Sequence, residues 1–274
     1  MSVFACPVCG ERLERLEKAY ACPNGHSYDI ASEGYVYLLP PNKKHSKMPG
    51  DDREMVASRR RFLEAGYYRI FSDALNELAL RFLPEDAPSV LDAGCGEGYY
   101  TGRLAAFLAG HGITVPLCGF DISKFAVKAA AKKYRNIPFA VGSMFGIPVP
   151  EASAGLLTDV FAPIVPEEFA RVVKPGGAII LAVPGERHLF GLKQILYDDP
   201  YENERRDTDY PGFRLAERVP VRGEIVTDDP QVMRDLFAMT PYFWKTPREG
   251  SERLSAAKHL RTEIAFDFLV YQRV

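Results

Sequence analysis

The sequence predicts an α/β fold: a Rossmann-like, doubly wound sheet of seven strands preceded by a small N-terminal module. Three observations predict it. The apolar run Ser89 to Ala93 leads straight into a glycine-rich turn and then a helical pattern. Further apolar runs alternate with helical patterns, as βαβ units require. Three of the five cysteines fall within the first 22 residues, in a region unlike the rest of the chain.

At 274 residues the chain has room for one full α/β domain and an accessory module. With 47% hydrophobic and 26% charged residues it has the composition of a folded globular protein, which argues against disorder. No apolar run approaches the roughly 18 to 20 residues needed to span a bilayer, and the opening MSVFACPVCG is no secretory signal. These features, with an odd number of cysteines, point to the cytoplasm and away from a membrane. The net charge of −2 does not mark a nucleic-acid binder, but the charge is uneven. Between Lys43 and Arg61, seven basic residues (Lys43, Lys44, Lys47, Arg53, Arg59, Arg60, Arg61) stand against three acidic ones (Asp51, Asp52, Glu54).

Cys6, Cys9, Cys22 and His26 form the pattern C-x2-C-x12-C-x3-H. Two close ligand pairs joined by a linker suit tetrahedral zinc, because each pair sits on a tight turn and the turns can face one another. Pro7 and Gly10 shape the first turn, Pro23 and Gly25 the second. With four protein ligands no position is left for water or substrate, so one structural zinc ion is expected. A redox CxxC would need a βαβ context that this region lacks.

The chain divides into a zinc-binding module (residues 1–36), a basic linker and helix (37–75) and a main domain (76–274). Pro40, Pro41, Pro49 and Gly50 argue against regular structure early in the linker. Asp51 or Asp52 is placed to cap a helix running through Arg59 to Glu64. The plain reading of the basic run is a solvated surface.

In the main domain the turn after Ser89–Ala93 reads D-x-G-x-G-x-G, with Asp92, Gly94, Gly96, Glu97 and Gly98. Glycines let a ligand approach the backbone closely. Dinucleotide enzymes place a G-x-G-x-x-G turn here, but Asp92 and Glu97 would repel an anionic pyrophosphate at the positive helix end. A ligand with an ammonium and a sulfonium and no phosphate removes that conflict. S-adenosylmethionine is such a ligand, and the domain reads as a class I methyltransferase.

The next strand, Val115 to Phe120, ends at Asp121, the offset at which a carboxylate accepts ribose hydroxyl hydrogen bonds. A third, Pro138 to Val141, delivers Ser143 to the carboxyl edge, where it is either an adenine neighbour or a plain turn residue. Gly155 to Phe161 and Ala178 to Val183 read as further strands around a short helix, Pro166 to Val173. Thr227, Asp228, Asp229 and Pro230 open a helix to about Ala238, and Glu263 to Tyr271 alternates as a last antiparallel strand.

With these residues in view the sequence resembles the bacterial 23S rRNA (guanine-N1)-methyltransferases that carry an N-terminal zinc module. The resemblance covers nearly the whole chain. It rests on the four zinc ligands, GYVYLLP from Gly34, RRRFLEAGYY ending at Tyr68, DAGCGEGYYT from Asp92, RVVKPGG from Arg171, PGERHL from Pro184 and MTPYFW from Met239. It implies zinc at Cys6, Cys9, Cys22 and His26, and cofactor contacts at Gly96 and Glu97. It adds two cofactor contacts that spacing does not show, Tyr68 and His188, for which ordinary packing is the competing reading.

The resemblance also implies an rRNA hairpin as partner. It makes Lys43, Lys44, Lys47, Arg59 and Arg60 candidates for phosphate contacts, and Tyr242 and Trp244 candidates for stacking against bases, with hydrophobic packing as the alternative. Guanine N1 carries a proton at neutral pH; Asp159, near the end of the fourth strand, and the Phe161-Ala162-Pro163 that follows are placed to face the flipped base, with Asp159 a weak candidate for removing that proton. Two other readings stay open: a small-molecule methyltransferase with a structural zinc module, and an inactive zinc-dependent RNA-binding protein. Oligomeric state is open too, a homodimer included.

Overall fold

The computed structural model describes residues 3–41, 49–86, 88–205 and 208–274. Lys43, Lys44 and Lys47 lie outside the described residues.

The N-terminal module is a three-stranded antiparallel sheet of β1 (Glu14–Arg15), β2 (Ala19–Ala21) and β3 (Ser27–Asp29). Strands this short do not stand alone in water. Phe4, Leu13 and Tyr20 supply what apolar contact they have, and they pack on Ile147 and Val149 of the main domain. The Ala5 amide also donates to the Pro148 carbonyl at 2.9 Å.

Strand β4 (Val36–Tyr37) leaves the module and joins the main sheet. Helix α1 (Arg53–Glu64) follows, capped by Asp52, whose Oδ1 accepts from the Glu54 and Met55 amides at 2.9 Å each. Of the two aspartates expected as caps, Asp52 serves and Asp51 pairs elsewhere. A second helix, α2 (Arg69–Phe82), was not legible in the sequence. The expected boundaries after residues 36 and 75 both fall inside elements of the main domain, β4 and α2.

The remaining elements alternate as expected: β5 (Val90–Ala93), α3 (Tyr99–Gly110), β6 (Leu117–Asp121), α4 (Lys124–Lys133), β7 (Phe139–Val141), β8 (Ala154–Val160), α5 (Pro166–Val172), β9 (Val173–Pro184) and α6 (Phe190–Leu196). They are completed by β10 (Phe213–Thr227), α7 (Pro230–Ala238), α8 (Tyr242–Lys245), α9 (Arg248–Ala256) and β11 (Leu260–Arg273). The sheet order is β10-β11-β9-β8-β5-β6-β7-β4, parallel from β9 to β4, with β11 antiparallel to both its neighbours. Eight strands stand where seven were expected, because β4 adds itself at the edge.

Every residue of β5 is buried, the signature of a central parallel strand covered on both faces. One face packs on α2, α3, α6 and α7 through Phe71, Leu75, Leu104, Leu192 and Leu236. The other packs on α5 and the zinc module through Leu91, Leu157, Phe169 and Ile179. No helix among the described residues is long and apolar enough to cross a membrane.

Candidate active site

Two tight turns bring the four metal-ligating residues together. The Gly10 amide donates to the Cys6 carbonyl at 2.8 Å and the Gly25 amide to the Cys22 carbonyl at 3.0 Å. Both glycines have positive φ, 77° and 83°, which closes each knuckle without a side-chain clash. The ligand atoms of Cys6, Cys9, Cys22 and His26 all lie within 4.8 Å of one another. Cys9 Sγ is 3.7 Å from Cys22 Sγ, and His26 Nδ1 is 3.3 Å from Cys22 Sγ. Thiolates each about 2.3 Å from one tetrahedral ion stand about 3.8 Å apart, so the spacing fits zinc. Burial pushes the Cys6 thiol up, but the Tyr28 hydroxyl at 3.2 Å and the Cys9 and Val8 amides outweigh it and bring the thiol down to about 7. That favours the thiolate a metal needs.

At the carboxyl edge of the parallel strands, Gly94, Gly96 and Gly98 are all left-handed, with φ of 75°, 56° and 83°. A Cβ at Gly94 would lie 2.4 Å from that of Ala162, so this turn and the one after β8 are in contact. Asp121 closes the neighbouring strand. Its carboxylate accepts from the Gly96 amide at 3.0 Å and the Ser123 amide at 2.7 Å, so it shapes the glycine loop as well as lining the edge. Burial pushes its carboxyl up, partly offset by those two amides.

Asp92 is turned inward, where it accepts from the Thr101 hydroxyl and, at 3.1 Å, from the Thr158 hydroxyl, and burial pushes it up to about 6. These threonines tie β5, β8 and the first turn of α3 together, a role with no sequence signal. Glu97 is 2% exposed, and burial raises its carboxyl, partly offset by the charges of Lys133, Arg60 and Arg59. A buried carboxylate beside a glycine cradle is suited to a cationic ligand.

Tyr68 and His188 are 120 positions apart in sequence, yet their rings lie 6.3 Å apart, each buried and each against Phe266. Burial pushes His188 down to about 3, so the ring is neutral. Its Nδ1 faces the Ala265 amide at 3.4 Å, which leaves Nε2 as the protonated nitrogen. Ser143 is buried at the end of β7 and accepts from the Phe145 amide at 3.2 Å, so it is at least a turn residue.

Asp159 is buried on the face of β8 that carries Leu157, toward the zinc-module side of the sheet. One carboxylate oxygen accepts from the Ala162 amide at 2.9 Å and the other has no partner among the described residues. Burial pushes the group well above the usual carboxylate range. Among the expected RNA contacts, Arg59 is committed internally, to Asp51 at 2.7 Å and to the Met239 carbonyl at 3.2 Å. Arg60 pairs with Glu64 at the surface. Tyr242 packs its ring edge toward Tyr197 and is largely covered, whereas Trp244 is 68% exposed on α8.

Two family models match the chain: one described as "RlmA, N-terminal" over residues 4–47, and one described as "Methyltransferase domain" over residues 84–216. A Streptomyces fradiae protein named 23S rRNA (guanine(748)-N(1))-methyltransferase is 30% identical, over 91% of this chain and 89% of its own. A Micromonospora griseorubida protein whose name carries 23S rRNA (guanine-N(1)-)-methyltransferase activity is 35% identical, over 92% of this chain and 90% of its own. The chain belongs to the 23S rRNA (guanine-N1)-methyltransferase family. A solved type II methyltransferase from Anaeromyxobacter dehalogenans, 21% identical with a TM-score of 0.51, covers 72% of this chain and 94% of its own and confirms the fold. Family membership brings S-adenosylmethionine as cofactor and one zinc ion, and the glycine cradle with buried Glu97, and the Cys3His cluster, fit those two groups.

Proposed function

We propose that this chain transfers a methyl group to N1 of a guanosine in a hairpin of large-subunit rRNA, working in the compartment where ribosomes are made. The observation that carries the reading is a match that spans both parts of the chain, zinc module and catalytic domain, to relatives with that named activity. A small-molecule methyltransferase needs no such module. The left-handed glycine loop, clasped by Asp121, speaks against an inactive RNA-binding protein. A labelled-methyl transfer assay on unmodified large-subunit RNA, followed by mass mapping, tests it. N1-methylguanosine in the RNA is the expected product; label confined to small metabolites would sink the rRNA reading.

S-adenosylmethionine supplies an electrophilic methyl when bound. The chain's own residues hold and orient. Gly94, Gly96 and Gly98 open the backbone to the ligand, Glu97 supplies negative charge, and Asp121 accepts hydroxyl hydrogen bonds while fixing the Gly96 amide. Tyr68 and neutral His188 would add the contacts that the resemblance implies, the histidine offering an N–H donor and no positive charge to repel a cation. Asp121→Ala removes a charged acceptor and the clasp on the loop together. Its expected effect is about a hundredfold weaker cofactor binding, from charged hydrogen bonds of about 1.5 to 3 kcal/mol each; calorimetry showing unchanged affinity would remove the role.

Asp159 does not suit the part of general base. A base must be ionised at working pH, and burial on the side of the sheet away from Tyr68 pushes this carboxyl toward its protonated form. Its raised folded-state value means that it stabilises the fold at low pH and that this contribution is lost as pH rises. Asp159→Asn mimics the protonated acid and keeps the acceptor for the Ala162 amide. The variant is expected to retain kcat within several-fold and to lose less stability than the parent as pH rises from the ordinary carboxylate range. A loss of a hundredfold or more in kcat would restore Asp159 to catalysis.

A further inference from the structure

Phe161 is the feature of the carboxyl edge that neither the fold nor the cofactor explains. It directly follows β8 and has φ of +60°, the left-handed region that an aromatic residue avoids. A conformation of that kind costs of order 1 to 3 kcal/mol and persists only where its surroundings over-determine it. Here they do. The Ala162 amide is held by Asp159 at 2.9 Å, Ala162 Cβ fills the space that Gly94 leaves open, and Pro163 fixes the chain beyond.

The strained turn sends an apolar ring toward solvent. Phe161 is 44% exposed, though buried aromatic surface lies directly behind it. Its inner face stacks on Phe71, with centroids 5.6 Å apart and planes 24° apart, and meets Phe266 at 5.0 Å. Both of those rings are fully buried. Phe266 in turn touches Tyr68 and His188, the pair that the resemblance singles out as cofactor contacts. Phe161 is therefore a rigidly backed aromatic face on the turn that touches the glycine loop. A core residue would gain more by turning inward on relaxed backbone.

We propose that the exposed face of Phe161 is the platform on which the target guanine stacks once it leaves its hairpin. The inference rests on the rRNA reading and names the residue that receives the base. Planar bases stack on aromatic side chains irrespective of their hydrogen-bonding edges, which leaves N1 and O6 free for the reaction. Chemistry on a base interior to a stack requires such extrusion and a receiving surface. Stacking of one base on one ring contributes about 1 to 3 kcal/mol, a factor of roughly 5 to 150 in binding.

The test pairs the residue with the base. Wild type, Phe161→Leu and Phe161→Tyr are compared on two RNAs, one carrying the guanosine located by mass mapping and one abasic at that position. Wild type and Phe161→Tyr should bind the guanosine RNA roughly 5- to 150-fold more tightly than the abasic RNA. Phe161→Leu, which keeps apolar bulk without a π face, should lose that preference. Its kcat/KM for RNA should fall by a similar factor, while Tm and S-adenosylmethionine affinity stay those of wild type. A preference undiminished in Phe161→Leu, or a parallel loss of cofactor affinity and Tm, overturns the platform and leaves the substrate reading standing. Failure of wild type to methylate the RNA at all overturns both.

Discussion

Replacing Cys22 with serine is expected to empty the N-terminal module of zinc and unfold it. The module's strands are two or three residues long, and its few apolar side chains are shared with the main domain, so little besides the metal defines its shape. Structural zinc contributes on the order of 10 kcal/mol or more to small domains, far beyond what Phe4, Leu13 and Tyr20 bury between them. Cys22 is also the ligand in closest contact with its neighbours, 3.7 Å from Cys9 Sγ and 3.3 Å from His26 Nδ1. Metal content should drop from one equivalent to near zero, and methyl transfer to RNA should fall by more than tenfold. S-adenosylmethionine binding should survive within about tenfold, because the glycine loop and Asp121 are held by one another and by β5 and β6. One equivalent of zinc in the purified variant would refute the ligand assignment.

A methyl group added at Gly94 should have a comparable effect on the other half of the molecule. Gly94→Ala places a Cβ 2.4 Å from that of Ala162 on a backbone with φ of 75°. Neither neighbour is the flexible end of a long side chain, so the turn after β8 or the glycine loop must move. Overpacking of this kind typically costs about 1 to 3 kcal/mol, and a residue forced to positive φ about 1 kcal/mol more. Cofactor affinity is expected to fall by two orders of magnitude or more in a titration, with Tm lowered. Ala162→Gly in the same chain removes the clash and leaves the φ penalty, so it should restore part of both losses. If the double variant is as impaired as the sum of the singles, the contact is not the cause.

How much of this site was legible in the sequence depended on whether its determinants were local. The zinc ligands, the Asp92 turn, Asp121 and the Asp229 cap each lie in a short pattern whose geometry follows from bond angles and glycine freedom, and the structure places each where its pattern puts it. Asp92 shows the limit of such reading. It lies on β5, as the strand reading has it, yet its carboxylate answers to Thr101 and Thr158, partners that only the packed sheet brings near. Tyr68 and His188 carried no spacing signal, and only the resemblance singled them out before Phe266 was seen to join them. Arg59 looked like surface charge because it sits in a basic run, but its register on α1 turns it inward to Asp51. Phe161 read as the last residue of a strand in a stretch facing the base, and the left-handed turn it makes was not legible, since nothing in FAP announces one.

The seventh strand was expected but not located, and it is β10. Pro220 in its middle argues against a strand, but β10 lies at the sheet's edge, paired among the described residues with β11 alone, where a missing amide costs little.

The opposite edge is managed differently, and with less chain. Parallel sheets rarely leave an outer strand open, because a row of unpaired amides and carbonyls invites a neighbouring molecule to add a strand of its own. Strand β7 is the last of the doubly wound series, and two residues of β4 cover it: Val36 pairs with Ala140 and Tyr37 with Val141, while the Leu38 amide takes the Val141 carbonyl. Those residues come straight from the metal-held module. The piece of chain that ties the module to the catalytic domain thus also supplies the last strand of the catalytic sheet, so that the zinc site, by holding the module, holds one end of that strand as well.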